Sequence, residues 1–194
     1  MPTAIADDAL DARAVSGGTI FLDRDGTIIV ERDYIHNPAD VALEIGAAAG
    51  LRALTAAGFR LVVLTNQSGV ARGYFDLAAV WAVNRRVADL LDEAEVTIAG
   101  WYVCPHGPSD GCACRKPRPG LAYHAAIDGG LALAGSWVVG DKRSDVELAD
   151  AIGASGILVT TGHGADHVAW AHDLGHPVVS DLVGASDFIL AAAA

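Results

Sequence analysis

Two aspartates, Asp23 and Asp25, stand two residues apart directly after the apolar stretch TIFL. An extended backbone would point both carboxylates in the same direction. Such a pair can hydrolyse a phosphate ester, because one carboxylate attacks phosphorus while the other donates a proton to the leaving oxygen and then activates water. Gly26 would allow the chain to turn sharply beside the phosphate. The motif D-x-D-G-T alone also fits a capped turn after a strand, so other residues must decide between the two.

Three later segments carry groups that suit a phosphate or a metal. Thr65 and the amides that follow it could contact phosphate oxygens, and Lys116 offers a compact ammonium that would neutralise a transferring phosphoryl group. The segment G-D-K-R-S-D places Asp141 and Asp145 after another apolar run. Asp141 could hold Mg2+ together with Asp23, because Mg2+ prefers oxygen ligands and bridges carboxylates to phosphate. Together the segments favour phosphoryl chemistry over a simple turn.

All three cysteines of the chain lie in one short loop that also holds a histidine. Thiolates and an imidazole are ligands that Zn2+ prefers, and four protein ligands in a closed site leave no position for water. We therefore expect a structural zinc rather than a hydrolytic one. Buried free thiols are one alternative, and a disulfide with a spare thiol is another, disfavoured without an export signal. The expected zinc ligands are Cys104, His106, Cys112 and Cys114.

The composition limits the partners that this chain can have. Its formal charge of −11 argues against nucleic acid and anionic membranes, which both need a basic face on the protein. No apolar run is long enough to cross a bilayer, and residues 1–18 lack the pattern of an export signal, so we expect a flexible extension there. Residues 19–194 suffice for a single domain with a full core. We expect a cytoplasmic monomer that acts on a small molecule.

Six short apolar runs, separated by Ala- and Leu-rich segments, indicate the elements that must position these side chains. Runs that are apolar throughout are typical of a parallel sheet covered on both faces. The clearest helix is expected from Asp76 to Asp92, with Asp76 as its N-cap. The fold class is therefore α/β, a doubly wound Rossmann-like parallel sheet whose ligand crevice lies beyond the carboxyl ends of the strands. The expected strands are TIFLD (19–23), LVVLT (61–65), GWYVC (100–104), WVVGD (137–141), GILVT (156–160) and PVVSD (177–181).

The ordered set D-x-D-G-T, T-N-Q, R-K-P and G-D-x-x-x-D resembles the haloacid dehalogenase (HAD) superfamily of aspartyl-phosphate phosphatases, over roughly residues 19 to 162. The resemblance implies Asp23 as nucleophile and Asp25 as general acid/base. It also implies that Thr65 and Lys116 stabilise the phosphoryl group. The Mg2+ ligands that it implies are Asp23, the backbone carbonyl of Asp25, Asp141 and, in the outer shell, Asp145.

The block C-P-H, C-x-C, R-K-P resembles a narrower group, the zinc-containing histidinol-phosphatase-like branch. Its members act on the 7-phosphate of a heptose 1,7-bisphosphate or on histidinol phosphate. Three segments are more similar to the heptose enzymes, namely T-N-Q-S-G-V-A-R-G-Y-F, G-D-K and L-V-T-T-G. Two features differ from those enzymes, which are the short spacing from His106 to Cys112 and the apolar Ile29. A phosphorylated sugar is the expected substrate, with histidinol phosphate as the alternative. The substrate-binding residues that the resemblance implies are Glu31, Tyr34, Thr65, Asn66, Gln67, Ser68, Arg115, Lys116 and Lys142.

The spacing of the motifs limits what can cover the site. Only 39 residues separate Asp25 from Thr65, and 50 separate Thr65 from Lys116, which leaves no room for a separate cap domain. We therefore expect an open crevice whose loops supply specificity. An inactive, zinc-stabilised binding module is a further alternative, disfavoured because the acidic and basic set is complete. The four histidines of residues 163–176 are expected on the surface of a terminal helix rather than in a second metal site, and the four tryptophans in the core or an interface.

Overall fold

One sheet of six strands forms the centre of the computed structural model, which describes residues 18–194. The strands are β1 (Thr19–Leu22), β2 (Arg60–Asn66), β3 (Ile98–Cys104), β4 (Trp137–Gly140), β5 (Ser155–Val159) and β6 (Val178–Val179). Neighbouring strands are parallel, in the order β3-β2-β1-β4-β5-β6. In this order the winding direction reverses between β1 and β4, where a doubly wound sheet opens its ligand crevice. The predicted N-terminal extension, residues 1–18, lies outside the described residues except for Gly18.

Helices connect the strands. The helix predicted from Asp76 is confirmed, since an oxygen of its carboxylate accepts a hydrogen bond from the Ala79 N–H at 2.9 Å. Two short 3-10 helices, Pro38–Asp40 and Gly164–His167, add to the connections. The α-helices are α1 (Ala47–Ala56), α2 (Ser68–Ala71), α3 (Leu77–Asp92), α4 (Gly120–Gly129), α5 (Arg143–Ile152), α6 (Val168–Asp173) and α7 (Leu182–Ala193).

Both faces of the sheet are buried. Successive side chains of a strand point to opposite faces, so each strand contributes to both cores. In β1, Ile20 and Leu22 pack into the core formed with α1, α3 and α7. Phe21, between them, packs into the core formed with α4 and α5. Uninterrupted apolar strands are what this two-sided burial requires. The predicted class, an α/β doubly wound parallel sheet, is confirmed.

The placement of the four late histidines was predicted wrongly. His163, His167, His172 and His176 lie between β5 and β6, around the second 3-10 helix and α6, whereas the terminal helix α7 contains no histidine. The chain forms β6 after them, with the Leu158 N–H donating to the Pro177 carbonyl at 3.0 Å, and only then begins its last helix. The tryptophans are half-buried, and three of them, Trp101, Trp137 and Trp170, pack against the cores.

The connections beside the crevice are short. Between β1 and β2 the chain forms one 3-10 helix and α1, and between β2 and β3 it forms α2 and α3. Within residues 18–194 there is thus no inserted cap domain, as predicted. No helix in this part of the chain combines the length and the apolar composition that a membrane span requires.

The contact between α1 and α7 yields a stability prediction. A Cβ at Gly50 would lie 2.2 Å from the Leu182 carbonyl oxygen. Glycine to alanine normally stabilises a helix by about 1 kcal/mol, but this crowding should instead lower the free energy of unfolding of Gly50→Ala by about 1–3 kcal/mol. Urea denaturation measures it, with Ala49→Ser as a control that adds one atom at a neighbouring exposed position. A Gly50→Ala protein as stable as the parent would contradict the packing.

Candidate active site

A cavity of about 320 Å³ opens at the carboxyl edge of the sheet, beside the junction of β1 and β4. Two predicted site residues, Thr65 and Asp141, do not line it and are buried behind its wall. The other residues predicted for catalysis, substrate binding or Mg2+ come together on the wall. They are Asp23, Asp25, Glu31, Tyr34, Asn66, Gln67, Ser68, Arg115, Lys116, Lys142 and Asp145.

Lys116 lies at the centre of this arrangement and is only 5% exposed. Its Nζ lies 2.7 Å from carboxylate oxygens of both Asp23 and Asp145 and donates to the Leu64 carbonyl at 2.6 Å. Burial alone would lower the pKa of Lys116, but Asp145 and Asp23 raise it above its usual value. Burial would raise the pKa of Asp23, but the ammonium groups of Lys116 and Lys142 hold it below its usual range. The lowered pKa favours the ionised form of the Asp23 carboxylate, which is the form that a nucleophilic attack would require.

Asp25 is fixed by donors from three directions. Arg24, whose side chain is fully buried, donates from Nη2 to Asp25 Oδ1 at 2.9 Å and from Nη1 to Asn84 Oδ1 on α3 at 2.7 Å. Gln67 Nε2 donates to Asp25 Oδ2 at 2.7 Å, and the Thr65 hydroxyl lies 3.5 Å from the same oxygen. Thr65 thus contacts Asp25 instead of facing the open cavity. These contacts hold the Asp25 carboxylate at the cavity wall.

Sequence reasoning assigned no role to Arg24 or Asn84. A signal for Asn84 was present, because it is a polar residue on the apolar stripe of α3 that Val80, Val83 and Val87 form. A buried amide on such a stripe needs a hydrogen-bond partner. The identity of that partner, a guanidinium sixty positions earlier in the chain, is set by the tertiary fold.

Three carboxylates, from Asp23, Asp141 and Asp145, bring one oxygen each within 4.8 Å of one another. Burial and the charge of Asp23 raise the pKa of Asp141 to about 8. Asp141 Oδ1 is buried without a hydrogen-bond partner among the described residues. Gly26 and Gly162 pack against the same side chain, since a Cβ at either would lie 2.3 Å from Asp141 Oδ2. Three buried carboxylates close together offer oxygen ligands and negative charge, and both suit a hard divalent cation such as Mg2+.

A second group of charged side chains also lines the cavity. Lys142 Nζ donates to Glu31 Oε2 at 3.0 Å, and His163 Nε2 lies 3.7 Å from the same oxygen. The backbone N–H of His163 donates to Asp141 Oδ2 at 2.8 Å. Sequence reasoning placed His163 on a surface helix and missed this position. The signal for it was its place just after β5, the strand next to the one that ends before Asp141.

Tyr34 forms the aromatic part of the cavity wall. Its φ of 60° is left-handed, which is uncommon outside glycine and often marks a functional position. Its ring meets that of Tyr74 edge-on with 4.9 Å between the centroids, and the Arg72 guanidinium lies 5.9 Å from its centre. The wall therefore includes a partly exposed aromatic side chain.

The predicted zinc ligands converge in the loop after β3. Cys104 Sγ lies 3.3 Å from Cys114 Sγ and 3.7 Å from Cys112 Sγ, and His106 Nδ1 lies 3.2 Å from Cys114 Sγ. All three thiols are free, so the disulfide alternative is wrong. Burial raises the pKa of the Cys104 thiol, an effect that a bound cation would reverse. Three sulfur donors and one imidazole within 4.8 Å of one another fit Zn2+.

Asn66 joins the end of this loop to strand β2. Its Oδ1 accepts from the Lys116 backbone N–H at 3.1 Å, and its Nδ2 donates to the Lys116 carbonyl at 3.2 Å. Arg115, which lines the cavity, also donates from Nη1 to the His106 carbonyl at 3.2 Å. The loop is thus connected on one side to its own metal-ligand cluster and on the other to the sheet.

Comparison with known proteins identifies relatives along most of the chain. A family model described as polynucleotide kinase 3 phosphatase matches residues 19–148, and a HAD-hydrolase-like model matches residues 113–185. The D-glycero-beta-D-manno-heptose-1,7-bisphosphate 7-phosphatase of Pseudomonas aeruginosa is 36% identical, with 91% of this chain and 99% of the relative covered. The enzyme of the same name from Escherichia coli K12 is 35% identical, with 91% and 90% covered.

A solved structure agrees with these sequence matches. The crystal structure of D,D-heptose 1,7-bisphosphate phosphatase from Bordetella bronchiseptica, complexed with magnesium and phosphate, superposes with a TM-score of 0.84 at 35% identity and covers 90% of this chain and 99% of that one. Identity at this level over nearly the full length of both chains shows common family membership. The chain is therefore a phosphate monoester hydrolase of the HAD superfamily and belongs to the family of the heptose-1,7-bisphosphate 7-phosphatases.

Proposed function

We propose that this enzyme removes the 7-phosphate of D-glycero-D-manno-heptose 1,7-bisphosphate through an aspartyl-phosphate on Asp23. The names of the relatives from P. aeruginosa and E. coli support the substrate. The observation that carries the chemistry is the 2.7 Å contact between Asp23 and Lys116, because it holds an ionised carboxylate beside an ammonium at the cavity wall. Cytoplasmic location and a monomeric state stay predictions.

In the first step Asp23 attacks phosphorus, and the alcohol oxygen of the sugar leaves with a proton from Asp25. In the second step Asp25 takes a proton from a water molecule that attacks the aspartyl-phosphate, which frees phosphate and restores Asp23. Lys116 stabilises the charge on the phosphoryl oxygens in both steps. The donors around Asp25 support this role, since they keep its carboxylate directed at the cavity.

Two metals are part of the proposal. Asp23, Asp141 and the backbone carbonyl of Asp25 would hold Mg2+, with Asp145 in the outer shell. When bound, Mg2+ would neutralise charge on the phosphoryl oxygens. The magnesium and phosphate in the B. bronchiseptica relative support this assignment. Zn2+ would be held by the Cys104 cluster and, with no open position for water, would stabilise the loop that ends in Arg115 and Lys116.

The cavity wall suggests how a sugar would be recognised. Glu31 and Lys142 offer a carboxylate and an ammonium, Ser68 a hydroxyl, and Tyr34 an aromatic face, all on the same wall. Arg115 adds a guanidinium beside the phosphoryl end. One sequence feature, the five residues between His106 and Cys112, favours histidinol phosphate as a second candidate substrate.

A panel of phosphate esters tests the substrate. Phosphate release should be fastest from heptose 1,7-bisphosphate, slower from simple hexose phosphates and slowest from histidinol phosphate, compared as kcat/KM with Mg2+ present. Both anomers of the heptose are included. If histidinol phosphate ranks first, the sugar assignment is wrong while the phosphatase chemistry stands.

Replacing the nucleophile tests the mechanism. Asp23→Asn should lower kcat by at least about 10³-fold, because a neutral amide cannot attack phosphorus. The fold should persist, since Lys116 keeps Asp145 as a partner. Circular dichroism and thermal unfolding check the fold, and Asp187→Asn, at an exposed position of α7, serves as the matched control. Substantial turnover by Asp23→Asn would exclude Asp23 as the nucleophile.

Removing zinc tests its structural role. Prolonged chelation should lower the thermal unfolding midpoint by several degrees, because the loop loses its central ligand-metal bonds. Activity should fall with it, and Mg2+ alone should not restore activity to the chelated protein. Zinc content, unfolding midpoint and rate are measured on the same samples. A rate that follows zinc content without any need for Mg2+ would show that zinc is catalytic.

A further inference from the structure

We propose that the side-chain amides of Asn66 and Gln67 position the catalytic groups Lys116 and Asp25 and do not recognise the sugar. The inference rests on the proposed function, in which Lys116 stabilises the phosphoryl group and Asp25 is the general acid/base. The resemblance to the family implies the opposite role, substrate binding. The hydrogen bonds of the two amides favour the positioning role.

The amide of Asn66 pairs with the backbone of Lys116 at both of its ends. Oδ1 accepts from the Lys116 N–H at 3.1 Å, and Nδ2 donates to the Lys116 carbonyl at 3.2 Å. The amide thus accepts one hydrogen bond and donates one to the same residue, as a backbone group pair does between two strands. These two bonds fix the plane of the amide. Because Asn66 is the last residue of β2, the contact fixes the position of Lys116 relative to the sheet. The Lys116 side chain can then place its Nζ between Asp23 and Asp145.

The amide nitrogen of Gln67 has both of its N–H groups engaged. One donates to Asp25 Oδ2 at 2.7 Å and the other to the Thr65 hydroxyl at 2.8 Å. An amide nitrogen has two N–H groups, so none remains to donate to a sugar hydroxyl. The residue is 5% exposed, and its backbone N–H donates to the Cys104 carbonyl at 2.7 Å. Gln67 therefore supports the Asp25 carboxylate together with Arg24, whose Nε also lies 3.2 Å from Oδ2.

The two roles predict different kinetic defects. A sugar contact is made in both the ground state and the transition state, so its loss raises KM and leaves kcat nearly unchanged. A misaligned Lys116 or Asp25 weakens the transition state instead, and lowers kcat for every phosphate ester whether or not it contains a sugar. The kcat and KM values of one good substrate, together with the rate on a sugar-free ester, thus separate the alternatives.

The experiment uses the metal-loaded enzyme with Asn66→Ala and Gln67→Met, the second of which keeps side-chain length. The substrates are the ester that ranks first in the panel and p-nitrophenyl phosphate, which has no sugar. We expect kcat on the first ester to fall by up to about 10²-fold in each variant, with KM near the wild-type value and a parallel loss on p-nitrophenyl phosphate. Asn37→Ala, an exposed asparagine outside the cavity, should retain wild-type rates.

A raised KM with a wild-type kcat, or a loss of rate on the sugar ester alone, would overturn the inference. Either result would show that the two amides bind the substrate. Thermal unfolding confirms that each variant is folded, and if Asn66→Ala is not, Gln67→Met decides on its own through kcat and KM. A wild-type enzyme that hydrolyses none of the esters would contradict the proposed function instead. The two failures are therefore distinguishable.

Discussion

The ammonium of Lys116, enclosed between the carboxylates of Asp23 and Asp145, is the interaction on which the site depends. A buried cation is stable only when it is paired, and removing one partner of a buried pair typically costs about 3–5 kcal/mol. Asp23 directly follows β1, Lys116 follows the cysteine loop and Asp145 lies in α5, so their contact fixes three separate parts of the chain at one point. The same contact lowers the pKa of Asp23, the proposed nucleophile. Stability and the proposed reactivity would thus have a common origin.

The lysines of this acidic chain are concentrated at the site. The chain carries a net charge of −11, yet both of its lysines, Lys116 and Lys142, line the cavity together with Arg115. An anionic ester would meet these three cations beside the carboxylates of the same wall, which are Asp23, Asp25, Glu31, Asp33 and Asp145. The hard oxygen donors and the soft sulfur donors form two separate clusters. This separation matches each cluster to a different metal, because Mg2+ prefers oxygen and Zn2+ accepts thiolate.

The fold and the meeting of most candidate side chains at one cavity were predictable from sequence, and the hydrogen bonds between them were not. Apolar strands indicate a parallel sheet, and a parallel sheet gathers its strand ends at one edge, which accounts for Asp23, Asp141 and the cysteine loop. The partner of Asn66 could not be found in the same way, because it lies fifty positions away and depends on the path of the loop. His163 was misplaced, since a short helix and a two-residue strand carry little periodic signal.

The absence of a cap domain within residues 18–194 affects how the reaction would end. An acyl-phosphate formed in an open cavity is in contact with bulk solvent, so water is the most abundant acceptor of the phosphoryl group. Transfer to a chosen alcohol would require a cover that holds the alcohol and excludes water. If the proposed aspartyl-phosphate forms, an open cavity of this kind would favour its hydrolysis. Without a cap in this part of the chain, we expect the chemical steps or product dissociation, and not the opening of a lid, to limit turnover.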